Sequence, residues 1–444
     1  MTDESVSRRG LLASVGAGLV GTVGRGRGRE ASRTARYVVG TDSRAAARVA
    51  ESHAAAVNHA LDFGDVGGAV TGQFDSAAAD ALAGRDDVRY VEEGTTFRPL
   101  AGERTAADRA REQTVPWGVD RIDADVAHEA GHRGDGVDVA IVDSGILPGH
   151  PDLRENLGEG KAYVDCWADA RPTCRLKPSG TSFECFIEVT LCATDWGDDL
   201  PNGHGTHVAG TVGAVDNDAG VLGVAPAASL HAVKVINAGG VARDVDIARA
   251  VKYVADRGWD VANLSFGNLA ASRLLADACR YADERGVLLV AAAGNGGPRD
   301  RTVATPARFG TVLAVSATTR ADRVAPFSSR GPAIDLAAPG ADVCSTAKAG
   351  RYVDSGTSMA APHVSGVGAL LMADGYSHEE ARERLRETAE DLDAPAERQG
   401  AGLVDAAAAL DLDSDDDGVG RGVCHPAGEV PGTGAGGVSG SENR

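Results

Sequence analysis

The sequence predicts an α/β domain built on a mostly parallel sheet with helices on both faces, and three observations carry that prediction. Between Val137 and Met372, Val-rich runs alternate with Ala-rich stretches of helical length, the order of strands joined by crossover helices. The runs are nearly continuous in apolar residues, as in Val137-Asp138-Val139-Ala140-Ile141-Val142, which marks strands buried on both faces. The residue that ends this run is Asp143, and open α/β sheets carry their sites at the carboxyl ends of strands. The 444 residues are ample for such a core and for a second, smaller body.

Residues 1–35 come first. Ser7-Arg8-Arg9-Gly10-Leu11-Leu12 is a twin-arginine pattern, followed by an apolar, Gly-rich run from Leu11 to Val23. That run is too short to span a bilayer and looks like a twin-arginine export signal. The expectation is a secreted, extracellular protein without a stable membrane anchor. Residues 36–97 change character. Tyr37–Gly40 reads as a strand, Ser43–Leu61 as an Ala-rich helix and Ala69–Phe74 as a strand. Ala77–Ala83 reads as a second helix and Val88–Glu92 as a final strand. This is a small α+β, ferredoxin-like pattern. Residues 98–111 are polar and Arg-rich, a linker to the main domain at 112–410. The tail 411–444 is acidic and then Gly-rich, a composition that cannot build a core. The acidic run at Asp413 begins like an EF-hand loop, but its twelfth position is Cys424 rather than Glu, so a solvated acidic tail is expected.

Within the main domain, three short motifs each place one reactive residue among small neighbours. They are Val139-Ala140-Ile141-Val142-Asp143-Ser144-Gly145, Asn202-Gly203-His204-Gly205-Thr206-His207 and Gly356-Thr357-Ser358-Met359-Ala360-Ala361-Pro362. A serine hydroxyl needs a base within hydrogen-bond reach, and the base needs an orienting acid. Helical segments are expected from His207 to Val215 and from Met359 to Met372. A nucleophile at a helix N-terminus gains from the positive end of the dipole. A fourth run, Gly286 to Asn295, reads as a strand ending in Gly-Asn. The Gly-x-Ser-x-Gly pattern does not fit, because Ala360 stands where its second Gly would be.

Taken in the order Asp, His, Ser, these motifs resemble the subtilase family of serine endopeptidases over about Gln113 to Leu410. The resemblance implies a subtilisin-like three-layer fold. It implies that Ser358 attacks the scissile carbonyl, that His204 carries the proton and that Asp143 orients His204. Asn295 would donate its side-chain amide to the oxyanion, with the Ser358 backbone N–H as second donor. His207 would be structural. Protein and peptide substrates would bind as an added strand, with one edge at Ser265-Phe266-Gly267 and the other near Gly239-Gly240-Val241. Ser265, Phe266, Ala292, Ala293 and Gly294 would wall the first specificity pocket, with Ala304 at its floor. None is charged, so an apolar side chain is expected before the cut. A structural Ca²⁺ would take Gln113, Asp152 and Asn217 with the carbonyls of Val215, Ala219 and Val221, an all-oxygen set suited to that ion; an unliganded Asx-rich turn is the alternative. Residues 36–97 resemble the inhibitory propeptide, whose end would lie in the site as a product-like peptide. The chain would then process itself within 98–111, leaving a mature start near Glu112.

The net charge is −20 and the sequence pI about 4.9, which argues against nucleic acid as a partner. Lysine occurs only at 161, 177, 234, 252 and 348. Acid excess with Arg in place of Lys resembles secreted, halolysin-like proteases of salt-loving archaea. High salt screens the self-repulsion such a charge creates. Cys166, Cys174, Cys185 and Cys192 lie in a segment, 164–201, longer than subtilases usually carry. Two disulfides in any of three pairings would account for them, as would a zinc site, although no Cys-x-x-Cys occurs. Cys279 and Cys344 are expected as buried thiols. A monomer is expected. A broad endopeptidase, a specific processing protease with Asp198 and Asp199 near its cleft, and an inactive binding relative remain the functional alternatives; retention of Asp143, His204, Ser358 and Asn295 favours an enzyme.

Overall fold

The computed structural model describes residues 34–102, 105–106, 113–164, 173–176, 183–186, 195–199, 203–348, 350–414 and 424. The twin-arginine pattern, Cys166, Cys192 and Glu112 lie outside the described residues.

The first body is β1 (Ala35–Thr41), α1 (Arg44–His53), β2 (Ala56–Asp62), β3 (Gly68–Phe74), α2 (Ser76–Ala83) and β4 (Val88–Glu93). Its four-stranded sheet has the order β2-β3-β1-β4, with antiparallel pairs throughout. The α+β pattern is as expected, but the helix expected over 43–61 stops at His53. Residues Ala56–Asp62 instead pair with β3, a case of strand pairing overriding the helix preference of an Ala-rich run. Ser43 and Asp75 cap the two helices through their side chains.

Two short strands come next, β5 (Thr96–Pro99) and β6 (Thr105–Ala106), and then helices α3 (Trp117–Arg121) and α4 (Ala124–Glu129). The main domain continues with β7 (Asp138–Asp143), β8 (Lys161–Ala162), β9 (Thr173–Leu176), β10 (Phe183–Phe186), α5 (His204–Gly213), β11 (Ser229–Lys234), β12 (Ala242–Arg243) and α6 (Asp244–Arg257). It goes on with β13 (Val261–Leu264), β14 (Phe266–Gly267), α7 (Arg273–Asp283), β15 (Leu288–Ala292), β16 (Leu313–Thr318), β17 (Leu336–Pro339), β18 (Val343–Ala347), β19 (Gly350–Asp354), α8 (Thr357–Ala373), α9 (His378–Glu387), α10 (Ala396–Gln399) and α11 (Ala406–Ala409). The central sheet has seven strands in the order β17-β16-β15-β13-β7-β11-β8, all parallel.

Alternate residues of each central strand enter opposite layers. Val139 and Ile141 belong to the core that includes Val208 and Val212 of α5 and Val364 and Val367 of α8. Ala140 and Val142 belong to the core that includes Val251 and Val254 of α6 and Leu274 and Ala278 of α7. This second core also takes Val38, Phe63, Val66 and Tyr90 of the first body, so the small sheet docks on the α6–α7 side. The three-layer expectation therefore holds.

In the Cys-rich segment, β9 and β10 form an antiparallel pair in which Cys174 stands opposite Cys185. Cys279 is a buried free thiol. Cys344 is not: it is disulfide-bonded to Cys424 beside Ala214 and Val221, which corrects the buried-thiol expectation for Cys344. It also anchors one point of a tail whose composition suggested no ordered contact.

Candidate active site

The site collects at the carboxyl ends of the central strands. Asp143 ends β7, His204 opens α5 and Ser358 lies in the first turn of α8. His204 Nδ1 is 2.7 Å from Asp143 Oδ1, with both residues buried. The same oxygen accepts from Ser144 N (2.7 Å) and Ser144 Oγ (3.0 Å). Gly205 lets α5 pass this close to the Asp143 loop, because a Cβ there would collide with Gly145 O. His204 Nε2 is buried without a partner, the nitrogen a neighbouring hydroxyl would use.

Ser358 Oγ donates to Ser265 O (2.7 Å) and accepts from Leu100 N (3.0 Å). Pro362 has no N–H to bond the Ser358 carbonyl across the first helical turn. That carbonyl accepts instead from Ser265 Oγ at 3.0 Å, so the nucleophile segment is tied twice to Ser265. Asn295 is oriented by Thr357, whose N–H and Oγ both donate to Asn295 Oδ1 at 3.0 Å. Its Nδ2 is thereby left to donate to Leu100 O at 2.8 Å. Ser358 N donates to the same oxygen at 3.2 Å. The Leu100 carbonyl thus sits between two donors in a partly buried pocket. Gly356 makes the approach possible, since a Cβ there would collide with Leu100 O and lie 3.0 Å from Ala101 Cα.

The residues before Leu100 run as β5 between two edges. Ala242 and Arg243 of β12 pair with Phe97 and Thr96, and Phe266 and Gly267 of β14 pair with Pro99 and Arg98. The edge at Ser265, Phe266 and Gly267 is where the sequence placed it. The other pairing strand, Ala242–Arg243, follows directly on the Gly239-Gly240-Val241 stretch, in which the Gly240 N–H bonds Asn237 O in a turn. Phe97 is fully buried, edge-on to Phe266. The Leu100 side chain lies beside Gly267 and Ala304: a Cβ on Gly267 would meet Ala304 Cβ at 2.7 Å and Leu100 Cδ1 at 2.8 Å. Ala292, Ala293 and Ala304 are buried apolar residues, and Gly294 N bonds Thr357 Oγ at 3.0 Å.

Two neighbours carry no motif of their own. Asp199 accepts from Ser144 Oγ (2.6 Å) and Thr206 N (2.7 Å), so it sits beneath Asp143 rather than in the cleft. Burial pushes its carboxyl up against hydrogen bonds that oppose the shift. One Ser144 proton cannot serve two carboxylates at once, and a protonated Asp199 would donate to Ser144 Oγ in turn. Lys234, opposite Asp143 in the sheet, donates to Ser144 O and to Asp198 O. Burial holds its ammonium below the ordinary lysine range while Asp199 and Asp143 draw it back up.

The expected metal residues converge about the Val215–Val221 loop. Gln113 Nε2 reaches Val215 O (2.7 Å) and Val221 O (3.3 Å), and Asp152 Oδ2 accepts from Val221 N at 3.1 Å. Asn217 folds locally, its Oδ1 accepting from Ala219 N at 3.1 Å. Among the described residues no group of three or more His, Cys, Asp or Glu could hold a metal ion. A site here would rest on amide and carbonyl oxygens with a single carboxylate, and the donor chemistry fits a hard cation.

The first body grips the main domain next to this cleft. Arg89 makes a bidentate pair with the buried Asp277 (2.8 and 2.8 Å), and Tyr90 Oη donates to the same carboxylate at 2.6 Å. Glu92 accepts from the N–H groups of Arg273 and Leu274 at the start of α7. Asp244, at the start of α6, accepts from Thr95 N at 2.9 Å. Burial pushes Glu92 up to about 7 and Asp244 up to about 6.

A family model described as Peptidase_S8, the subtilase family, matches residues 134–402. The chain is 39% identical to M-protease of Shouchella clausii (strain KSM-K16) over 333 residues, 74% of this chain and 76% of that protein. It is 41% identical to Subtilisin Savinase of Lederbergia lenta over 300 residues, 67% of this chain and 99% of that one. Alkaline elastase YaB of Bacillus sp. (strain YaB) is 36% identical over 354 residues, 79% and 81% of the two chains.

Proposed function

We propose, for a chain that belongs to the subtilase family and is a serine endopeptidase, that it is made as a zymogen whose first substrate is its own Leu100–Ala101 bond. The observation that carries this reading is the Leu100 carbonyl held between Asn295 Nδ2 and Ser358 N, at 2.8 and 3.2 Å. In the reaction, Ser358 Oγ leaves Ser265 O and bonds to the Leu100 carbonyl carbon while its proton passes to His204 Nε2. Asp143 holds the other imidazole nitrogen and stabilises the imidazolium. The two donors meet the negative charge as it forms on the Leu100 oxygen, where they act most strongly. Collapse breaks the C–N bond to Ala101, and His204 returns the proton to the Ala101 nitrogen. Water, deprotonated by His204, then frees Ser358 from the Leu100 ester.

On this reading residues 36–97 are the propeptide, and the cut falls inside the 98–111 linker. Its product stays bound through the β5 ladder and the Asp277, Glu92 and Asp244 contacts. The apolar surroundings of Leu100 support preference for apolar residues before the cut, in a broad rather than a processing enzyme. Ca²⁺ would be held by Gln113, Asp152 and Asn217 with the loop carbonyls of Val215, Ala219 and Val221. It would neutralise Asp152 and fasten the loop. Export through the twin-arginine route and adaptation to high salt are inferred from the leader pattern and the −20 charge. No helix among the described residues is long and apolar enough to cross a membrane.

The test is labelling with a serine-directed fluorophosphonate in several-molar salt. The account expects one modified peptide, containing Ser358, with loss of casein hydrolysis. Labelling elsewhere, or hydrolysis that survives full labelling, overturns it.

A further inference from the structure

Beyond the cut, the described residues 101, 102, 105 and 106 meet Tyr352, Val353, Ser355 and Gly356. Ala101 Cα lies against Gly356, and Gly102 N donates to Ser355 O at 2.5 Å. Thr105 pairs with Val353 and Ala106 with Tyr352, antiparallel. The partners descend from 355 to 353 and 352 as the chain climbs from 102 to 105 and 106, the antiparallel sense, with the register offset by one residue between the Gly102 contact and the β6 pairing. β19 holds β6 on one side and pairs with β18 on the other, the sheet order being β18-β19-β6. Without β6, β19 is the edge strand of this sheet, with Tyr352 O also 3.2 Å from His207 Nε2. Such an edge is a template for an added strand.

We propose that β19 is the docking strand for the leaving half of the substrate, extending recognition to the sixth residue after the cut. This rests on the serine-endopeptidase reading above and adds to it a substrate class: extended, locally unfolded chain continuing at least six residues beyond the scissile bond. In the zymogen Gly102, Thr105 and Ala106 occupy this edge in the manner a substrate would. Once they are trimmed away, or peel from a two-residue pairing, the same edge serves other chains. The recognition is by main chain, so it tolerates many sequences. What it demands is an extended backbone with an N–H available at the ladder positions.

The test uses the self-processed enzyme and synthetic peptides. Each begins Thr-Phe-Arg-Pro-Leu and continues with the first two, four or six residues of Ala-Gly-Glu-Arg-Thr-Ala. Cleavage after Leu is followed by mass spectrometry. At roughly one net hydrogen bond or two gained over the last two positions, kcat/KM should rise about tenfold between four and six residues. Antiparallel ladders present alternate residues to the partner. Proline at the fifth or at the sixth position should therefore abolish the gain, while proline at the other leaves most of it. Cleavage that is equally fast with two, four and six residues overturns the β19 proposal while leaving the endopeptidase reading intact. Failure to cut any peptide of the series, with Ser358 unreactive, is instead the failure of that reading.

Discussion

Before Leu100 the backbone of β5 lies between two strands, and Phe97 is fully buried against Phe266. After Ala101 the backbone meets one strand, β19, and the Thr105 side chain is exposed. The first flank combines a two-sided ladder with a side chain in a closed pocket; the second is a one-sided ladder read through main chain alone. Burial of a large side chain discriminates between sequences, whereas a backbone ladder discriminates mainly between extended and folded chain. The asymmetry also explains why the two products of a cut have different fates. The N-terminal product keeps Phe97, the Arg89–Asp277 pair and the Glu92 and Asp244 contacts. Among the described residues of 101–106, the C-terminal side would keep the Gly102 contact and its short pairing with β19. On the proposed reading, one bond cleavage would make both a product inhibitor and a departing strand.

Where the two flanks meet, Asn295→Ala should have the largest effect. It removes one of two donors to the Leu100 oxygen, and kcat should fall roughly 100- to 1000-fold, the range established for such a donor in subtilisin. KM should change little. A change confined to KM would show that Asn295 binds substrate without acting on the transition state.

The comparison is sharpened by Phe97→Ala in an added propeptide, residues 36–100. Truncating a buried Phe costs about 3–5 kcal/mol, so the inhibition constant for the processed enzyme should rise roughly a hundredfold or more. Thr105→Gly in the zymogen should leave self-cutting nearly unchanged. Equal effects on the two flanks would remove the asymmetry.

The propeptide's hold should also depend on pH, with a definite sign. Burial raises the carboxyls of Glu92 and Asp244 to about 7 and about 6 in the bound state. A carboxyl raised on binding favours the complex while protonated. Propeptide affinity should therefore be highest below the ordinary Glu range and fall as pH rises through 6 to 7. Inhibition measured across that window checks it, and Glu92→Gln should flatten the upper part of the curve. Affinity that increases with pH would mean that the helix-start hydrogen bonds outweigh the burial.

The smallest expected effect lies away from both flanks. If Gln113 and Asp152 hold Ca²⁺, chelator in high salt should lower Tm by about 5–10 °C, the shift from losing a ligand present at some hundred times its Kd. Asp152→Asn should show little further response. An unchanged Tm in the wild type would leave the loop an ordinary Asx turn.

What the sequence made legible was local chemistry. Asp143, His204, Ser358 and Asn295 each stand in a run of small residues, some with a geometric job, as at Gly205 and Gly356; the structure pairs Asp143 with His204 and sets Ser358 N and Asn295 Nδ2 on one carbonyl, that of Leu100. Long-range facts were less legible. The helix expected beyond His53 reads well from Ala content, and only pairing with β3 makes Ala56–Asp62 a strand. The Cys344–Cys424 bond spans 80 residues, and no spacing rule identifies a partner at that distance. Lys234 and Asp199 are brought beside Asp143 and Ser144 by the sheet register and a loop, and neither has a motif of its own. The pairing residues Ala242 and Arg243, just past Gly239-Gly240-Val241, follow a turn at Asn237 whose hydrogen bonds a sequence does not display.

The measurement that bears most directly on this account is the intact mass and N-terminal sequence of wild type and Ser358→Ala, each folded alone in several-molar salt with calcium and sampled from the first minutes. The account predicts that the wild type alone is cut and that its earliest new N-terminus is Ala101, with any start nearer Glu112 appearing later. An uncut wild type, a Ser358→Ala protein cut at the same bond, or a first N-terminus elsewhere would contradict the claim that this chain presents Leu100–Ala101 to its own Ser358.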